Sequence, residues 1–174
     1  MQPLLFNNLH IENEPVNIPL PDGITLTIKR EDKNHPFVSG NKLRKLKYNI
    51  AQAQQEGKDT ILTFGGAYSN HIAATAAAGQ IVGLKTIGVI RGDELGSKID
   101  VNPTLKFAKS CGMDFYFVTR EVYRRKHTPE FFENLRKRYG QNIYIAPEGG
   151  TNELAVKGCE EILTPEDNAF DVIC

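Results

Sequence analysis

The stretch Thr63-Phe64-Gly65-Gly66-Ala67-Tyr68-Ser69-Asn70-His71 decides the fold class. It follows the apolar pair Ile61-Leu62 and leads into the alanine-rich run 72–78, so its order is strand, glycine turn, helix. Gly65 and Gly66 offer backbone angles closed to other residues, Ser69 sits where an N-cap belongs, and Asn70 and His71 open the helix. A helix opening favours anions, because its first N–H groups lack intrahelical partners and the dipole is positive there. Such a turn also serves as a plain connection in many αβ domains, so a second motif has to carry the chemistry.

Outward from this turn the period is regular. Short apolar runs at 60–64, 86–90, 115–118 and 143–146 suit parallel strands buried on both faces. Helical stretches lie between them at 71–82, 103–111 and 129–138, with Gly83, Gly112 and Gly140 just past their ends. The repeated β-α order predicts an α/β fold with helices on both sides of a four-stranded parallel sheet. Two loops interrupt it: 91–97, polar and expected to be mobile, and 121–127, basic at Arg124, Arg125 and Lys126. Those three charges suit a solvated face, with the grip of an anionic partner as the alternative.

Upstream, Pro3, Pro15, Pro19 and Pro21 keep the chain extended until Asp22-Gly23 turns it. Ile24, Leu26 and Ile28 alternate with Thr25, Thr27 and Lys29, which predicts a strand with one buried face. The polar loop 31–35 follows; its His35 reads as solvated, or as a proton carrier. Downstream, Pro147 to Gly150 reads as a tight turn, Thr151 as an N-cap, and Leu154, Val156, Cys159, Ile162 and Leu163 as the buried side of a last helix. The run 170–174 reads as a further strand.

The second motif is Gly40-Asn41-Lys42-Leu43-Arg44-Lys45-Leu46. Asn41 can cap a helix whose apolar face is Leu43, Leu46, Ile50 and Ala53, and Lys42 and Lys45, three apart, project on one side. Arg44, Lys45 and the helix N-terminus all disfavour another ammonium, which depresses the Lys42 pKa toward the neutral amine that condenses with aldehydes. A solvated basic face is the alternative.

With both motifs in view, the sequence resembles the pyridoxal-phosphate enzymes of fold type II, specifically the family of 1-aminocyclopropane-1-carboxylate deaminase and D-cysteine desulfhydrase. The match is carried by Ser39 through Leu46 and by Gly65 through His71, with Lys29-Arg30-Glu31-Asp32 and the run 147–152 in support. The resemblance implies pyridoxal 5′-phosphate as cofactor, a small amino acid as substrate, and a homodimer for a full-length enzyme. It makes Lys42 the lysine that carries the cofactor, Lys45 a phosphate contact, Asn70 the neighbour of the cofactor's phenolic oxygen, and Ser69 with His71 the substrate-carboxylate pocket. Ser69 is expected to join Lys42 in catalysis. His71 leans toward the desulfhydrase members, because the deaminase resemblance favours Gln there.

The same resemblance divides the chain into 1–56, the start of a large cofactor domain, 57–147, a small αβ domain, and 148–174, a return into the large domain. The family's main phosphate loop follows the next strand, so the chain is expected to be the amino-terminal part of a larger enzyme. Composition sets the remaining limits. Lys plus Arg and Asp plus Glu each number 21, so no whole-molecule field recruits nucleic acid or an anionic membrane. No run approaches a spanning helix, and Cys111, Cys159 and Cys174 lack a C-x-x-C spacing, which suits reduced thiols in the cytoplasm. A nucleotide-binding αβ module is the alternative, although a G-x-G-x-x-G fingerprint is lacking, and an inert fragment is another.

Overall fold

The computed structural model describes residues 4–6, 9 and 11–174; the proline at position 3, read above as helix-blocking, lies outside them. Four parallel strands form the centre: β3 (Thr60–Gly65), β4 (Lys85–Arg91), β5 (Met113–Val118) and β6 (Ile143–Ile145). They stand in the order β5-β4-β3-β6. Every position of β3 is buried, because it has a strand on each side and helices on both faces. On one face Ile61 packs with Ala74, Ala77 and Ala78 of α2 (Asn70–Val82), and Ile90 packs with Leu105 and Ala108 of α3 (Pro103–Ser110). On the other, Leu62, Phe64, Ile87 and Val89 meet Phe131 and Leu135 of α5 (Pro129–Tyr139).

This is the α/β architecture predicted from the sequence, and the strands and helices expected between 60 and 146 agree with it to within two residues at each end. Gly83 closes α2 in the left-handed region at φ 74°. The chain runs outward from β3 to β5 and then returns to place β6 on the other side of β3. The order of strands therefore reverses between β3 and β6, the kind of switch point beside whose carboxyl ends open α/β sheets bind ligands.

Both irregular loops are more ordered than expected. Residues Asp93–Val101 form a 3₁₀ run whose Leu95 and Ile99 pack on the sheet. The basic segment opens with α4 (Arg120–Arg124), capped by Thr119, and buries Tyr123. Lys126 is not free in solvent: it pairs with Glu148 at 3.1 Å and lies over the Tyr123 ring.

The terminal segments pack together. Helix α1 (Asn41–Gln55) buries Leu43, Leu46, Ile50 and Ala53 as its spacing predicts, and lies against α6 (Glu153–Glu160). The contact is backbone to backbone: a Cβ on Gly158 would stand 2.0 Å from the Arg44 carbonyl oxygen. That closeness overturns the expected buried side of α6. Ala155 and Gly158 face α1, while Val156 and, past the helix end, Leu163 are exposed.

The strand expected over 24–29 shrinks to β2 (Thr27–Lys29), paired antiparallel with β1 (Asn13–Pro15). Its apolar face is not buried, since Ile24, Leu26 and Ile28 are all exposed. Residues 170–174 form no strand, and Val172 and Ile173 are exposed, because no neighbouring strand pairs with them. Asp167 ties this tail to the ribbon through Lys29 at 2.6 Å and Asn13 at 3.0 Å.

Candidate active site

Two helix openings face one crevice. Gly40, at φ 62°, is the N-cap of α1, so Asn41 is its first residue rather than its cap. The Asn41 side chain is thereby free to accept from Lys42 Nζ at 3.1 Å. At the second opening Ser69 caps α2 as expected, its hydroxyl accepting from the Ile72 N–H at 3.4 Å. The preceding glycines do not adopt left-handed angles. Gly65 is required by space instead, since a Cβ there would stand 2.5 Å from Ile72 and 2.9 Å from Ser69.

Between the openings lies a cleft of about 490 Å³ lined by Asp32, Ser39, Gly40, Lys42, Asn70 and the small side chains of Ala73 and Ala74. Lys42 and Asn70, 28 positions apart, thus share one cavity. The Lys42 amine is pushed below the usual lysine range, first by burial and then by the Lys45 charge. Arg44 plays no part in this. It turns away into the α1–α6 interface, where Glu31 grips it through Nε at 3.1 Å and Nη2 at 2.8 Å.

Lys45 lies one turn further along and donates to the Thr151 hydroxyl at 3.0 Å. Thr151 is available for this because Asn152, not Thr151, caps α6, its side chain accepting from Ala155 N–H at 2.9 Å. Asn152 also bonds Asn49, a buried residue of α1 that accepts from the Tyr144 hydroxyl at 2.8 Å. The intervening turn, Pro147 to Gly150, is tight as predicted, with Gly149 and Gly150 both left-handed at φ 68° and 70°.

His71 sits behind the cleft, 2% exposed, with Nε2 2.9 Å from the Thr63 hydroxyl. His35 is partly buried rather than simply solvated, and its Nδ1 accepts from the Phe37 and Val38 N–H groups. Tyr68 is 75% exposed and lies outside the core. The structure brings Lys42 and Asn70 into one cavity, with Ser69 as the cap next to Asn70 and the Lys45 ammonium on Thr151; it directs the His71 ring elsewhere. The sequence reading overlooked Thr63, Asn49 and Asp32. Only Asp32 had a signal, its place in the Lys-Arg-Glu-Asp run.

No protein-family model matches the chain. Curated relatives do. It is 33% identical over 172 residues to the mitochondrial bifunctional D-cysteine desulfhydrase/1-aminocyclopropane-1-carboxylate deaminase of Arabidopsis thaliana, covering 90% of this chain and 43% of that one. It is 32% identical over 143 residues to the D-cysteine desulfhydrase of Klebsiella pneumoniae, covering 80% of this chain and 43% of the relative. The crystal structure of an ACC deaminase homologue superposes over the whole chain and 55% of its own length, with a TM-score of 0.67 and 26% identity.

The parallel αβ unit with its lysine-bearing helix is therefore the fold type II architecture expected from the sequence. More narrowly, the chain belongs to the 1-aminocyclopropane-1-carboxylate deaminase and D-cysteine desulfhydrase family. It spans less than half the length of these two curated relatives. Among the described residues no helix is long and apolar enough to cross a membrane, and no cluster of His, Cys, Asp and Glu could hold a metal.

Proposed function

We propose that this chain supplies the lysine-bearing part of a pyridoxal 5′-phosphate-dependent enzyme that removes ammonia from a small amino acid. The two candidate reactions are desulfhydration of D-cysteine to pyruvate, sulfide and ammonia, and opening of 1-aminocyclopropane-1-carboxylate to 2-oxobutanoate and ammonia. One observation carries the reading: Lys42 and Asn70 line the same cleft, between the openings of α1 and α2. The donor set suits a phosphorylated aldehyde, since it offers an amine of depressed pKa, a second cation in Lys45, an amide and a helix N-terminus.

In this reading Lys42 carries the cofactor and Lys45 contacts its phosphate, exchanging Thr151 for the stronger anion. Asn70 would hold the cofactor's phenolic oxygen. When bound, the cofactor's ring supplies an electron sink for charge that develops at the amino acid's α-carbon. Ser69 and Asn70, with the backbone N–H of His71, hold the substrate carboxylate at the opening of α2. Lys42, whose amine pKa is depressed, would move the proton.

The union of α1 with α6 supports grouping 1–56 and 148–174 in one domain and 57–147 in another. The test is 2-oxo acid release by the full-length protein from D- and L-cysteine, D-serine and the cyclopropane amino acid. Lys42→Ala abolishes release and the visible absorbance acquired with pyridoxal phosphate. Absorbance retained in that variant removes Lys42 from its role.

A further inference from the structure

The Thr63 hydroxyl is fully buried and meets three groups: His71 Nε2 at 2.9 Å, the Ala146 carbonyl at 3.1 Å and the Pro147 carbonyl at 3.3 Å. Carbonyls only accept, and a hydroxyl has one proton to give. With that proton given to the carbonyls of the 146–147 segment, His71 donates Nε2–H to the Thr63 oxygen, the assignment that leaves no buried N–H unmet at Nδ1. Nδ1 is then a bare lone pair, buried and without a partner. Such a ring is neutral, since burial and the nearby Lys42 and Lys45 charges push its pKa down to about 3, against a small opposing effect of Glu148.

The ring is also wedged. A Cβ on Gly150 would stand 2.8 Å from His71 Cε1, so the second turn closes directly on the imidazole. A chain of contacts therefore runs from the first turn of α2, through His71 and Thr63, to the turn that carries Thr151 and hence meets Lys45.

We infer that His71 and Thr63 form a positioning pair that fixes the Gly65–Asn70 turn in register with the Pro147–Thr151 turn across the switch point of the sheet. His71 thus acts through its neighbours and its ring does not touch substrate. The coupling rests on geometry alone; only its consequence for the substrate rests on the function proposed above. The spacing between the carboxylate-holding opening of α2 and the Lys45–Thr151 edge is set by this pair.

Two measurements on the full-length protein test it. The imidazole ¹H–¹⁵N correlation spectrum of His71 shows the Nε2–H tautomer and no titration between pH 5 and about 8; an Nδ1–H tautomer, or a ring that titrates there, overturns the inference. Amide hydrogen exchange in Thr63→Val accelerates about tenfold in both turns together, at 70–72 and at 150–151, and Thr63→Ser restores both to within about threefold. Acceleration in one turn only, or in neither, overturns the coupling. The kcat/KM for 2-oxo acid release falls about tenfold in Thr63→Val and recovers in Thr63→Ser. If Thr63→Val fails to fold, Thr63→Ser and the spectrum decide. A full-length protein that releases no 2-oxo acid sinks the proposed function, while exchange and tautomer still judge the pair.

Discussion

Lys45 Nζ donates to Thr151 Oγ1 at 3.0 Å, joining residues 106 positions apart. The bond pins the first turns of α1 to the loop before α6. Lys45→Ala removes the charge that would hold a phosphate, so pyridoxal phosphate retention weakens by about tenfold or more, as expected for a charge-assisted hydrogen bond. Thr151→Val removes a neutral partner only and weakens retention far less. Equilibrium dialysis of the full-length protein separates the two; equal losses would contradict the assignment.

Gly158 and Gly23 lack side chains for different reasons. An alanine at 158 would press into the Arg44 carbonyl, so Gly158→Ala separates α1 from α6 and costs about 3 kcal/mol. Gly23 has φ 81° but open space around it, and Gly23→Ala costs only backbone strain, about 1 kcal/mol. Urea unfolding of both variants gives the comparison.

Arg44 is 7% exposed and its guanidinium is paired with Glu31 at 2.8 Å, with Glu161 further away at 3.8 Å. Glu31→Gln strands a buried guanidinium and destabilises by about 3 kcal/mol, the usual cost of breaking a buried pair from one side. A loss below about 0.5 kcal/mol in urea unfolding would mean that Glu161 replaces Glu31 fully.

Acid destabilises the protein through His71. Its folded pKa, about 3, lies below the unfolded value of about 6.5, so between these limits only the unfolded chain takes up the proton. The contribution is complete above pH 6.5 and is lost as pH falls toward 3, with a slope approaching about 1.4 kcal/mol per pH unit. His35, also depressed by burial, acts in the same direction. The Asp167 carboxylate, held low first by Lys29, is lost only below the ordinary carboxylate range. Unfolding at pH 7 and pH 5 therefore isolates the histidines, and His71→Gln removes the larger part of the difference. An unchanged difference refutes the assignment.

Residues 60–146 were legible because each element there is fixed by local chemistry. Strand β3 is apolar at nearly every position since both its faces are covered, and Ser69, Asn102 and Thr128 cap their helices with their own side chains. The cleft was legible in part. Lys42 and Asn70 stand in motifs whose helices open toward the same end of the sheet, but the cavity between them is a product of the fold. His71 misled because its neighbours Ser69 and Asn70 face outward, while a 3.6-residue turn carries the next side chain into the core. Asn41 misled as a cap because the backbone turns into α1 one residue earlier, at Gly40 with φ 62°, and Thr151 because Asn152, the stronger cap, follows it.

The sequence alone determined the order of strands and helices, the glycine stops and the two lysine-bearing and serine-bearing openings, because burial periodicity and capping act within a few residues. Tertiary structure alone decided which face of α6 is covered, which neighbour neutralises Arg44, and that His71 looks toward Thr63. These depend on residues of different elements meeting in space, and their pairing is set by how closely two backbones approach, a quantity with no local signature.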